Sequence, residues 1–212
     1  THSPVRAINF GVNQSIGQFV GVCIDGARLV SPGLIAQARD ALTLYPRGVV
    51  AARGRYLGVK FQRDAMNEGY DAQQEDALLA QCEWKIDGYR LFDISVFDES
   101  CGPTWLTPMA ESNALFMSRH LWAELQGFDE EFVSRGGGLV NLDTWRRAVQ
   151  LPDVTVVSLM GEATFHQIHG GVATNGTHDA IREFFNEYQS IRGVEFEIPD
   201  VSYSLFGKFN HK

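Results

Sequence analysis

Three short stretches of the sequence carry side chains able to do chemistry. The first is Asp25, which follows the apolar run Gln18-Phe19-Val20-Gly21-Val22-Cys23-Ile24. A carboxylate at the carboxyl end of a buried strand can hold a divalent cation that bridges a diphosphate; its plainer role is a turn or a helix cap. The second is Gly136-Gly137-Gly138-Leu139-Val140-Asn141-Leu142-Asp143, with Arg146 and Arg147 behind it. The glycines permit positive φ or close approach of the backbone to a ligand, and the loop delivers Asn141 and Asp143 to a helix start. Capping that helix is the alternative role of Asp143. The third is Phe165-His166-Gln167-Ile168-His169-Gly170-Gly171. Two imidazoles three residues apart can ligate one metal, or one can ligate while the other orients a phosphate. Surface histidines that merely hydrogen-bond show the same spacing.

The elements around these residues read as an α/β alternation. Residues 6–15 show a helical pattern that Gly17 stops, and residues 18–24 read as a strand buried on both faces, as in a parallel sheet. Ser31-Pro32-Gly33 opens a helix over residues 34–44, with Ser31 as the expected cap. In open α/β sheets ligands gather outside the carboxyl ends of the strands, which is where Asp25 falls. Residues 48–61 read as a strand or hairpin, 67–82 as a helix with an acidic first turn, and 84–103 as a surface excursion with a short strand at 89–94. Further on come a strand at 109–116, helices at 118–125 and 143–150, a strand at 154–159, and an amphipathic helix over 177–192 with Ile181, Phe184, Phe185 and Tyr188 on one side.

Composition narrows the classes. The chain has 212 residues, and a net charge of -8 argues against a nucleic-acid or anionic-membrane partner. No apolar run reaches the ~18 residues of a membrane span. Residues 1–9 lack the pattern of a signal peptide. Cys23, Cys82 and Cys101 are scattered and odd in number, which reads as reduced thiols in a cytoplasmic protein, with a Cys82–Cys101 bridge as the alternative.

A resemblance joins the three stretches. The segment RAINFGVNQSIGQFVGVCIDGARLVSPGL, residues 6–34, resembles the central part of the large inverting glycosyltransferase family of GT-A fold (glycosyltransferase family 2-like). That part has an Asn-x-Gly helix, an apolar strand, an Asp-x-Asp metal motif and a Pro-Gly helix start. The stretch from Ser112 to Arg147 resembles the family's acceptor-side half, ESNALFMSRHLWAELQGFDEEF matching its pattern of small residues, Arg, helix and Gly-Phe-Asp-Glu, and FHQIHGG resembles its late histidine loop. The resemblance covers most of the chain outside residues 48–103 and the tail. It implies a single GT-A-like domain over residues 1–212, with a mostly parallel sheet flanked by helices and an irregular insertion at 48–103. It also implies that the nucleotide-binding strands preceding Thr1 are lacking, which would leave an exposed sheet edge for homo-oligomer pairing.

The function so implied is transfer of a sugar, with inversion, from a nucleotide-diphosphate donor to a glycan or small-molecule acceptor, assisted by Mn or Mg. Residue by residue, Asp25, Arg6 and Asn9 are expected at the donor, and Asp25 with His166 or His169 at the cation. Ala27 stands where the second Asp of Asp-x-Asp belongs, which removes one hard oxygen ligand. Asn141 aligns with the family's catalytic base and cannot take a proton, so Asp143 is the expected base and Asn141 positions the acceptor. Glu111 and Trp105 are expected on the acceptor side. Two rivals stay open: a non-catalytic sugar- or nucleotide-binding relative, favoured by Ala27 and Asn141, and a different metal enzyme built on His166 and His169.

Overall fold

The computed structural model of the chain describes residues 3–24, 27–169 and 178–209. In chain order its strands are β1 (Phe19–Cys23), β2 (Arg28–Val30), β3 (Gly48–Leu57), β4 (Ser95–Phe97), β5 (Ala114–Ser118), β6 (Thr155–His166) and β7 (Ser204–Gly207). The helices are α1 (Val5–Gln14), α2 (Leu34–Leu44), α3 (Gln62–Asn67), α4 (Ala72–Cys82), α5 (Arg119–Leu125), α6 (Val140–Val149) and α7 (His178–Arg192).

All seven strands join one sheet whose spine is the parallel pair β3 and β6. Along their first halves β5 and then β1 flank β3, and β7 flanks β6. Along their second halves β4 flanks β3 and β2 flanks β6. The two halves are offset by an irregularity in β6: Ala51 of β3 faces Ser158, but Arg53 faces Ala163. Gly161 turns within it at φ +75°, where a Cβ would stand 2.2 Å from the Lys208 carbonyl oxygen, so only glycine fits.

The α/β class is as expected, but the sheet is mixed rather than mostly parallel. Only β3–β6 and β6–β7 are parallel; β1–β5, β3–β5, β3–β4 and β2–β6 are antiparallel. Short apolar runs do not encode strand direction, which the connections set. In β1 only Val20 and Val22 are buried while Gly21 and Cys23 are exposed, the alternation of an antiparallel strand with one face inward. Gly48–Leu57, expected at the margin of an insertion, is instead the middle strand of the sheet, buried along nearly its whole length. Its arginines disguise it. The Arg53 guanidinium is buried against the Trp105 and Thr107 carbonyls (2.9 and 2.7 Å), and that of Arg55 against Ser95.

Apolar clusters cover both faces. On one, Val50, Ala52, Phe116, Val157 and Leu159 pack under Leu34, Ala38, Ala41 and Leu42 of α2. On the other, Val20, Val22, Val49, Leu115 and Met117 pack with residues of α5, α6 and α7, including Trp122, Trp145, Phe184 and Tyr188. Phe185 is exposed, so the apolar face of α7 is narrower than its sequence suggests. The expected strand at 89–94 is a short 3-10 turn, Gly88–Phe92, and the strand follows it. All three cysteines are free thiols.

Helix α7 is strapped to the domain by charge. Arg192 donates to Asp143 (2.7 and 2.8 Å) and to Asp129 (2.6 Å), and Arg147 donates to Asp143 from the other side (2.7 Å). Glu187 accepts the Val133 and Ser134 amides (2.9 and 2.8 Å). Removing the clamp with Arg192→Met leaves a buried carboxylate on one arginine. The expected loss is on the order of 2 kcal/mol in urea unfolding, less than for a fully buried pair because Arg192 is partly exposed.

Candidate functional site

The second half of the sheet sets polar side chains side by side at the carboxyl ends of β3 and β6. Arg28 of β2 is paired with His166 of β6, and His166 with Tyr56 of β3. The His166 and Tyr56 rings meet edge to face, with centroids 5.7 Å apart. Antiparallel β2 brings Arg28 to this end although Arg28 starts its strand.

His166 is buried, with Nδ1 2.7 Å from the Gln62 Oε1 of α3 and Nε2 2.9 Å from the Nε2 of His169. With Gln62 accepting, His166 carries its proton on Nδ1 and presents the Nε2 lone pair toward His169. A metal-ligating histidine is commonly fixed in this way by an acceptor on its far nitrogen. The loop leading to His169 is pinned by Glu75 of α4, whose two carboxylate oxygens accept the Ile168 amide at 3.1 and 3.0 Å. Burial pushes the Glu75 carboxyl above its usual range, and the Ile168 bond opposes that shift.

A second cluster lies close enough to Tyr56 for its charges to act on the phenol. Asp98, just past β4, is buried and accepts the Ser100 amide (2.9 Å) and the Ser100 hydroxyl (2.8 Å). The same hydroxyl oxygen is 2.6 Å from Glu111 Oε1, and the Asn141 side-chain amide donates to Glu111 Oε2. Burial raises the Glu111 carboxyl; the Asp98 charge adds to that, while Ser100, Asn141 and Arg28 oppose it. The Tyr56 phenol is likewise raised, by burial first and then by Asp98.

Comparison with protein-family models and with curated proteins yields no match. The site is therefore read from its own geometry and from the motifs.

Of the residues expected at a site, His166 and His169 are adjacent, and Asn141 and Glu111 are hydrogen-bonded to each other. Asp25, Gly170 and Gly171 lie outside the described residues. Among the described residues, no group of three His, Cys, Asp or Glu side chains is placed to hold a metal ion. The expected base Asp143 lies elsewhere. It is 1% exposed and clamped by Arg147 and Arg192. Helix geometry explains why: two residues along α6 is a rotation of about 200°, so when Asn141 faces Glu111, Asp143 faces away. Nor does Asp143 cap α6, whose cap position is Leu139.

Arg6 and Asn9, expected at the donor, both have protein partners. Arg6 is exposed and pairs with Glu130 at 3.2 Å. Asn9 accepts the Phe128 amide (2.9 Å) and donates to the Phe128 carbonyl (2.8 Å). Trp105 packs edge to face on Phe97 and Phe209. Gly136, Gly137 and Gly138 all have positive φ, as the triple glycine implied. Their closeness is to protein, however: a Cβ on Gly137 would meet Val140 at 2.9 Å, and one on Gly138 would meet Glu187 at 2.7 Å. Ser31, the expected cap of α2, instead hydrogen-bonds Glu162.

Sequence reasoning missed Gln62, Glu75, Asp98 and Ser100. All four fall in the stretch outside the resemblance, and no local pattern marks them. The pinning by Glu75 is testable. Glu75→Ala strands the Ile168 amide, at a cost of about 1–3 kcal/mol. Hydrogen exchange at Ile168 is expected to quicken about tenfold or more while the strands of the sheet keep their protection; unchanged exchange would show that the loop is held by other contacts.

Proposed function

We propose that the chain is a glycosyltransferase-like protein that transfers a sugar, with inversion, from a nucleotide-diphosphate donor to a hydroxyl acceptor at the carboxyl ends of β3 and β6. The observation that carries the reading is the pairing of His166 with His169 and of Glu111 with Asn141, the first pair in ring contact with Tyr56 and the second close enough for its charge to act on the Tyr56 phenol. Ligands of open α/β sheets collect at this end of the strands. The resemblance of residues 6–34, 111–132 and 165–171 supplies the reaction class.

In this reading the histidine pair belongs to the donor side. Two imidazole nitrogens meeting at one point, one of them fixed by Gln62, suit a divalent cation; as nitrogen donors they favour Mn over Mg. A bound cation would neutralise the diphosphate leaving group. Asp25 and the donor phosphates are the oxygen ligands the set needs, because Ala27 supplies none. Glu111 and Asn141 belong to the acceptor side. Arg28, beside His166 in register, adds positive charge for the diphosphate. One observation favours a non-catalytic binding relative: Asp143 is clamped by two arginines and Asn141 is an amide, so neither residue aligned with the family's acidic motif is placed to serve as base.

Calorimetric titration of Mn2+ with and without UDP or GDP tests the donor side. The expectation is weak binding of the cation alone and clear binding with a nucleotide. Either His166→Ala or His169→Ala should weaken the nucleotide-dependent step about tenfold or more. Tight Mn2+ binding without nucleotide, or nucleotide-dependent binding that neither substitution alters, would remove the histidines from the donor side.

A further inference from the structure

We propose that Glu111 is the catalytic base of this transfer, and that it rests as a carboxylic acid joined through the Ser100 hydroxyl to ionised Asp98. The assignment rests on the transfer reading and names a base where the resemblance leaves none.

The geometry carries it through proton counting. The Ser100 hydroxyl has one proton, yet its oxygen is 2.8 Å from Asp98 Oδ1 and 2.6 Å from Glu111 Oε1. If both carboxylates were ionised, one oxygen would face only a hydroxyl lone pair at hydrogen-bond distance. A second proton resolves this. Each carboxyl has one donor besides that hydroxyl, the Ser100 amide on Asp98 and the Asn141 amide on Glu111, and burial beside the Asp98 charge raises Glu111, which places the second proton there. Glu111 then donates from Oε1 to Ser100 Oγ, while Oε2 accepts the Asn141 amide. With that proton, both contacts of the Ser100 oxygen join a donor to an acceptor.

Access separates Glu111 from the other carboxylates. Asp98 and Asp143 are 3% and 1% exposed, whereas Glu111 is the least enclosed residue of the three, with its two oxygens on the neutral Ser100 and Asn141. Asp143 also has both oxygens on arginines. The charged and titratable groups facing Glu111 are Asp98 beyond β4, Arg28 of β2, Tyr56 of β3 and the Cys101 thiol; α6 contributes only the neutral Asn141. Burial and then the Asp98 charge hold the proton on Glu111, and a carboxyl raised in this way takes a proton from a hydroxyl more readily than an ordinary one.

In the step itself, ionised Glu111 takes the acceptor hydroxyl proton as the acceptor oxygen bonds to the sugar anomeric carbon. The bond from that carbon to the diphosphate oxygen breaks, and its electron pair leaves on the diphosphate. Glu111 then returns its proton to water. Asp98 and Ser100 are positioning residues: they set the proton affinity of Glu111 without touching substrate.

The test uses the full chain with Mn2+ and UDP-glucose, UDP-N-acetylglucosamine and GDP-mannose, reading release of UDP or GDP with water as acceptor alongside calorimetric donor binding. Glu111→Gln should bind donor as the wild type does and lose about a hundredfold or more in turnover. Wild-type turnover should rise with pH through the Glu111 ionisation, and Asp98→Asn should move that rise to lower pH while retaining turnover. A Glu111→Gln protein within threefold of wild type, or an Asp98→Asn profile that does not move, would overturn the assignment. Wild-type protein that binds donor without turnover, or binds none, would sink the transfer reading and the base role with it. The proton-sharing itself has an independent readout in thermal unfolding. A folded-state carboxyl raised above its unfolded value holds a proton that the unfolded chain has lost, so stability falls as pH climbs from the ordinary carboxylate range through the raised value. Glu111→Gln should flatten that fall, leaving the variant more stable than wild type at pH 8 and no more stable at pH 4; parallel curves would refute the shared proton.

Discussion

A buried carboxylate fixes the bend on which the site depends. Glu162 sits in the irregular part of β6, wholly buried, and collects the Ser31 hydroxyl, the Gly33 amide (3.1 Å), the Gln37 amide (2.8 Å) and the Tyr89 hydroxyl (2.8 Å). These donors come from the segment entering α2, from α2 itself and from the turn before β4. The carboxylate thereby ties both flanks of the second half-sheet to its spine. A buried charge persists only with such a set of partners. Gly33 belongs to the same constraint, because a Cβ there would lie 2.3 Å from Glu162 Oε1. Past the bend β6 exchanges β7 for β2 as its outer neighbour, and so Arg28 and His166 come to share a row.

The motifs divide between scaffold and chemistry along lines that helix and turn geometry dictate. Gly127-Phe128-Asp129 falls in the segment that carries the acceptor-side resemblance, and each residue has a partner within the fold. The Gly127 carbonyl accepts Arg147, Phe128 is buried with its backbone held by Asn9, and Asp129 pairs with Arg192. The Asn9 amide matches the Phe128 peptide as a strand neighbour would, with one bond in each direction. A close Asn–Gly contact follows, since a Cβ on Gly127 would stand 2.6 Å from Asn9 Oδ1. Two segments more than a hundred residues apart are thus bound by complementarity that a sequence motif records without stating its purpose.

Much of the fold was legible because it rests on local periodicity. The helices α1, α2, α5 and α7 fall close to where apolar spacing and the Ser118 cap put them. Strand direction was not legible, because the runs at 19–23 and 114–118 would look alike in either orientation. The middle strand was obscured by Arg53 and Arg55, whose charges are buried against carbonyls, a serine and aromatic rings rather than exposed. At the site, His166, His169, Asn141 and Glu111 were visible as residue types in order, but their pairings were not. Glu111 precedes Asn141 by thirty residues, and Ser100 comes from a turn that no periodicity announces.

The rotation of α6 carries the last step. A family pattern with an acid at position 141 would have that side chain where Asn141 now donates to Glu111. An acid there would instead face the Glu111 carboxyl beside the charge of Asp98, adding a third acidic group to a setting that already favours a proton over a second charge. The neutral amide removes that conflict and supplies a donor to Glu111. Asn141 and Glu111 are thus compatible as a pair, in the way Asp143 is compatible with its two arginines.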